Sequence, residues 1–427
     1  MHRIIVISVM SLVLSLSAAC GDSSDPCDGI TGTCIELEPG PDIQTRAQTA
    51  LIEAKTGDGI VFLAGTHQFD RDLSLDVDGV TVRGEGMDET ILSFADQTEG
   101  AQAFLVTADD FTIEDIAIED PAGDGIKTEG TTGVFIRRVR VEWSGPPSKD
   151  NGAYGLYPVQ SRNVLVEDSV VRGASDAGIY VGQSNTIIVR RNRAELNVAG
   201  IEIEASYNAD VYENIATDNT GGLLVANVPG LPMPNGSRTR VFNNEIYGNN
   251  TDNFAPSGVV AQLPRGTGLL LLSAHEVEVF DNQMRDNKTS NMSIVSYLAT
   301  GFDYDDPSFD PYTDTIYVHD NTFGPGGDDY DKTRVLGSAV VEALRTILPE
   351  PVEVPSIVFF GMVNPDKADS SDPRRFQAAY NLCVRNNGSA SFANLDFANN
   401  HAMVSTDLSP HDCEHPSLPA VTIPGIP

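Results

Sequence analysis

Lys127, Tyr157, Tyr180, Glu202, Leu224 and Leu270 each stand two places after a glycine that opens a short apolar alternation. A cation, two phenols and a carboxylate at one equivalent position could hold a sugar, since aromatic faces stack on pyranose rings and polar groups fix hydroxyls. Glu129 and Glu204 follow two places further along, and Asp176 stands just before Gly178. Tyr154, Gln160, Gln183 and Asn227 add hydrogen-bonding groups nearby. Catalysis would ask more. Removing a proton from a uronic acid, as a lyase or epimerase does, needs a base, a proton donor and a group that neutralises the carboxylate. Tyr157 or Tyr180 would be the base or acid, Lys127 would lower a neighbouring tyrosine's pKa, and Asp176 or Glu202 would hold hydroxyls. Glycoside hydrolysis needs a carboxyl pair, and Glu202 and Glu204 on one strand face would lie ~6.7 Å apart, close to the lower limit for inversion. Two carboxylates on an acidic chain are also ordinary surface charge.

These residues share a face only if the chain winds in equal coils. The glycines at 125, 155, 178, 200, 222 and 268 are separated by 30, 23, 22, 22 and 46 residues. A basic turn of 22 to 23 residues with insertions is a solenoid period. A second series fixes the register: Asn192, Asn214, Asn244, Asn282 and Asn321, with Asn197, Asn219, Asn249 and Asn287 five residues after the first four. Asparagine suits tight bends, and identical amides in successive coils stack as ladders. The segments alternate with period two and are rich in β-branched residues, which disfavours helical repeats. The reading is all-β: a right-handed parallel β-helix, with a short N-terminal capping helix and a C-terminal helical insertion. Stacking then places residues one coil apart ~4.8 Å from each other.

The runs Tyr154-Gly155-Leu156-Tyr157-Pro158-Val159-Gln160-Ser161, Ser175-Asp176-Ala177-Gly178-Ile179-Tyr180-Val181-Gly182-Gln183-Ser184, Asn197-Val198-Ala199-Gly200-Ile201-Glu202 and Asn253-Phe254-Ala255-Pro256 resemble a family of bacterial secreted parallel β-helix repeat proteins. The resemblance spans roughly residues 45 to 400 and implies the fold and an envelope location within the pectin-lyase-like superfamily. No reaction is assigned to that family. Its members tend to be encoded beside a secreted c-type cytochrome-like protein, which implies a non-enzymatic scaffold for such a periplasmic partner as a third reading. Alginate epimerases of the superfamily carry Tyr-Gly-x-Asp-Pro-His-Asp. Here Tyr157, Val159 and Gln160 replace the Asp, His and second Asp. The Asp-Asp and Gly-His-Gly signatures of pectin-hydrolysing β-helices are also missing.

A net charge of -34 argues against nucleic acid as a ligand, because phosphate backbones bind basic faces. It also disfavours long polyanionic glycans unless a basic groove or divalent cation offsets the field. Arg3, the apolar run Ile4 to Leu16 and Ser17-Ala18-Ala19-Cys20 read as a lipoprotein signal over 1–19, with Cys20 lipidated. The run is shorter than the ~20 residues that span a bilayer. Gly21 after the cysteine resembles signals sorted to the outer membrane, where the protein would face the periplasm or the surface. The remaining four cysteines suggest disulfides Cys27 with Cys34 and Cys383 with Cys413.

The expected order is a tether over 20–44, one β-helix domain over 45–400 and a loosely ordered tail over 401–427. Thr45 to Lys55 reads as the capping helix, which shields the first coil's open edge. Insertions are expected near 143–152, 228–238 and 302–375, the last holding a helix from Lys332 to Leu348. Such loops leave at corners and wall grooves. No cofactor motif appears; Asp303, Asp305, Asp306 and Asp310 could gather calcium, though their spacing matches no calcium loop.

Overall fold

The structure, a computed structural model, describes residues 25–426. The expected export signal over 1–19 and the expected lipidation site Cys20 lie outside them. Each regular coil is three short strands, as in Ala177–Gly182, Asn185–Arg190 and Arg193–Glu195, repeated as Ala199–Glu204, Tyr207–Tyr212 and Ile215–Thr217. Every strand pairs in parallel with its counterpart one coil away. The pairing register is the one the glycines predict: Ile126 with Leu156, Leu156 with Ile179, Ile179 with Ile201, Ile201 with Leu223, Leu223 with Leu269. These residues are fully buried and form the core with Val166, Val189, Val211 and Val241.

The asparagine ladders run through the interior. Asn244 illustrates the unit: its Nδ2 donates to Val211 O at 2.9 Å and to Asn282 Oδ1 at 2.9 Å, while its Oδ1 accepts from the Asn214 backbone N–H at 3.0 Å. The ladder continues to Asn387, where the last coil Leu382–Arg385 pairs with Asp314–His319. The second ladder joins Asn197, Asn219, Asn249 and Asn287. The left-handed residue is not the ladder asparagine but the one before it: Arg191, Glu213, Asn243, Asp281 and Asp320 have φ between +54° and +56°. Each side-chain amide takes over hydrogen bonds that a sharp corner denies the backbone, offsetting a conformation that costs of order 1 kcal/mol.

Several boundaries differ from expectation. The first coil begins inside the stretch read as tether, because Cys34–Leu37 pairs in parallel with Gly59–Phe62. The capping helix α1 spans Ile43–Glu53, with Ile43, Ala47, Ala50 and Leu51 buried on the core. The stretch 302–375 is not one insertion: Asp314–His319 and Ile357–Phe359 are regular coil strands. Between them the helix α2, Val335–Leu344, packs on the outside of the helix. The tail is ordered. After Cys413 it runs back along the outer sheet, where Leu418 N–H reaches Glu278 at 2.9 Å, Val421 N–H reaches Asp210 at 3.0 Å, and Ile423 packs on Leu165 and Ile188. Composition hid this, since two isoleucines scattered among prolines carry little hydrophobic signal. Both disulfides form, Cys27–Cys34 and Cys383–Cys413.

Candidate functional site

The eleven-stranded sheet carries the column. Tyr154 opens the strand Tyr154–Val159, Tyr180 lies in Ala177–Gly182 and Glu202 in Ala199–Glu204. Because Leu156, Ile179 and Ile201 point inward, Tyr157, Tyr180 and Glu202 point outward on consecutive coils. The rings of Tyr154, Tyr157 and Tyr180 form one cluster with centroids 4.4, 4.7 and 5.1 Å apart. The alternation that turns this column outward suggests an exposed sheet, but the column is covered: Tyr180 is 4% exposed and Glu202 7%. Leu224 and Leu270, the next two members, pack under α2 and the short helix Val260–Gln262, so the outward face becomes a second apolar core.

A cavity of about 220 Å³ remains between sheet and cover. Tyr154, Asp176, Tyr180, Glu202 and Glu204 line one side. Leu224, Leu270 and Leu272 continue the same sheet beside them, and Val260, Leu263 and Leu336 close it from the cover. Sequence reasoning missed its wall, the loop after Asn250. Its brace was visible in the run Asn253-Phe254-Ala255-Pro256: the Asn253 amide donates to Val260 O at 2.9 Å and Leu263 O at 2.8 Å. Gly182 was also missed. A Cβ there would stand 2.2 Å from the Tyr180 ring, so only glycine lets that ring lie across the strand toward Glu204.

Within the cavity Tyr180 OH donates to Glu204, and Tyr154 OH donates to Asp176 at 3.3 Å. The Glu202 carboxyl has no hydrogen bond or ion pair to any described residue. Burial, with the Glu204 charge behind it, pushes the Asp176 carboxyl up to about 7. Burial also raises Glu202 well above the carboxylate range, reinforced by Glu204 and Asp176, and raises Glu204 against the opposing Tyr180 hydrogen bond. The phenols of Tyr154 and Tyr180 are raised by burial and by neighbouring carboxylates, and Tyr157 reaches about 12. This corrects the expectation that Lys127 activates a tyrosine. Its ammonium does lie 5.4 Å from the Tyr157 ring centre, but it pairs with Glu129 at 2.8 Å, and burial together with Asp124 and Glu129 outweighs it. At neutral pH the site holds proton donors rather than a phenolate base.

The remaining candidates scatter. Glu129 stays at the rim with Lys127. Gln160 and Gln183 occupy left-handed corners with φ of +52° and +51° and meet each other at 3.5 Å. Asn227 is not available to a ligand: it is buried, and its amide closes the base of the 228–238 loop through Gly236 and Ser273. The acidic loop near 302–312 is tied to that same loop, with Asp306 accepting from Gly230 N–H at 2.9 Å. Asp310 pairs with Lys367 at 2.9 Å. Asp310 also joins His275 and Asp314 in a cluster of ligating type, where the Lys367 ammonium, 2.6 Å from Asp314, already supplies the positive charge. Asp303, Asp305 and Asp306 belong to no such cluster among the described residues.

Residues 90–228 match the family model described as right handed beta helix region. No curated protein matches the chain in sequence. Among solved structures the chain is similar to the A-module of the Azotobacter vinelandii mannuronan C-5 epimerase AlgE4, at 17% identity over 84% of this chain and 93% of that one, with a TM-score of 0.53. The AlgE6 A-module of the same organism gives 19% identity over 68% and 85%, with a TM-score of 0.51. The chain is a right-handed parallel β-helix protein. At such identities the likeness concerns the fold alone. Of the run Tyr154 to Gln160, Tyr157 joins the aromatic cluster, Val159 is buried and Gln160 turns a corner.

Proposed function

We propose that this β-helix is an envelope lipoprotein, held to the outer membrane through Cys20, that binds an oligo- or polysaccharide across Tyr157, Lys127 and Glu129 and takes one unit into the covered cavity. The observation that carries the reading is Glu202. A carboxyl group 7% exposed, facing a cavity and without a partner, costs free energy unless something completes its hydrogen bonding. The cavity is smaller than the ~300–1,000 Å³ of sites for drug-sized ligands, which suits a single ring or chain end. Aromatic rings at its mouth suit a sugar's C–H face. A glycan-array screen of the protein beside Tyr157→Ala and Glu202→Gln tests this. Saccharide binding lost in both variants is expected; binding indifferent to both would overturn it.

A second reading, glycoside hydrolysis, is supported by the three carboxyls that line the cavity, among which burial pushes Asp176 up to about 7, where a general acid keeps its proton. It predicts new reducing ends from the bound glycan, absent with Asp176→Asn. Proton abstraction from a uronate has less support, because the phenols are raised and the one nearby ammonium is paired with Glu129.

A further inference from the structure

The cavity's lining contains three carboxyl groups and no lysine, arginine or histidine. Asp176, Glu202 and Glu204 face it from the sheet, with Tyr154 and Tyr180 between them and Asp124 close enough to act on Asp176. The cover contributes only neutral groups, among them Gln262, Thr300, Leu263 and Leu336. An anionic ligand would therefore find no cation to pair with and would oppose ionisation of all three carboxyls. A neutral one would leave Glu202 with a single ordinary hydrogen bond, whereas a cation forms a charge-assisted one of about twice the strength. The aromatic rings at the wall add attraction for an ammonium. A bare metal ion fits less well, since these three carboxyls are not among the groups whose ligand atoms all lie within 4.8 Å of one another. The leucines beside Glu202 on the sheet and in the cover call for a body covered in C–H bonds.

Resting on the saccharide reading of this same cavity, we infer that it is a subsite for a protonated amine, carried by an amino-sugar unit whose ammonium meets Glu202 and whose ring packs on Leu224, Leu270 and Leu263. Seating the cation draws the buried carboxyl groups toward their charged form, so binding releases protons. This sets the subsite apart from one that reads hydroxyls alone.

The test is calorimetric titration of the mature protein, in detergent and at a pH of about 6, with a glucosamine oligomer, the N-acetylglucosamine oligomer of the same length, and cyclohexylamine. Repeating it in two buffers of different ionisation enthalpy counts the protons. The glucosamine oligomer is expected to bind roughly tenfold tighter or more than its acetylated form, with proton release. That preference disappears in Glu202→Gln. Equal binding of the two oligomers without proton release would overturn the amine subsite and leave the saccharide reading standing. Cyclohexylamine binding that depends on Glu202, with neither oligomer bound, supports the ammonium subsite and overturns its saccharide carrier. No binding of any of the three overturns both. Proton release in the unaltered protein stays informative even if the variant folds poorly.

Discussion

Asp176→Asn is expected to make the protein more stable above neutral pH and to leave it unchanged in acid. The folded carboxyl is raised from 3.8 to about 7, chiefly by burial and next by Glu204. A raised acid binds protons in the folded state that the unfolded chain has already lost. Its neutral form is therefore what the fold prefers, and stability falls as pH climbs from about 4 through about 7. At about 1.4 kcal/mol per pH unit, that displacement corresponds to about 4 kcal/mol in full at pH 8. Asparagine imitates the protonated acid and still accepts from Tyr154, so it should recover most of this. For a chain of this length about 4 kcal/mol is roughly 4–8 °C in Tm. The assay is thermal unfolding of both proteins across the pH range by circular dichroism. Curves that meet near pH 4 and separate in favour of the variant toward pH 8 are expected. A variant equal to or less stable than the wild type at pH 8 would refute the claim that burial holds this carboxyl neutral.

Other consequences can be checked one by one. Asn244→Ala removes the side chain that meets the Val211 carbonyl and the Asn214 N–H, while Asn282 Oδ1 keeps its bond from the backbone N–H of residue 244, and should cost about 3 kcal/mol, read from the urea midpoint. Gly182→Ala should push the Tyr180 ring off its strand and abolish ligand binding while leaving the coil register, seen by far-UV circular dichroism, intact. Cys413→Ser removes a link closing 30 residues, about 3–4 kcal/mol in the chain-entropy account, and should speed hydrogen exchange over residues 414–426.

Where the sequence was legible, it was because a residue type repeats for a local reason. Glycine at 125, 155, 178 and 200 marks close coil-on-coil approach, and asparagine at each corner marks a hydrogen bond the backbone cannot make for itself. Both signals depend only on the neighbouring coil, so period alone reveals them. The pairing of Arg137, Glu167 and Arg190, at 3.0 and 2.7 Å, was readable for the same reason. The cover was not. Whether Tyr180 and Glu202 face solvent depends on a helix at Val335–Leu344, more than a hundred residues away in sequence, and on a loop braced by Asn253. Neither follows the repeat. Outwardness was predicted correctly from alternation and exposure was not, because alternation says which side of the sheet a residue takes and nothing of what lies above it. Leu224 and Leu270, apolar on an outward column, were the available hint that something packs there. The tail escaped notice likewise, its contacts with Asp210 and Glu278 falling far outside any local pattern.

The claim tested most directly is that ligand enters beneath the loop braced by Asn253. Hydrogen–deuterium exchange of the mature protein, with and without a saturating glucosamine oligomer, locates the bound face. The account predicts slowed exchange confined to residues 250–263 and to the rim around 154–160. Slowed exchange along the tail and the Leu165–Ile188 face, with the 250–263 loop unaffected, would contradict it.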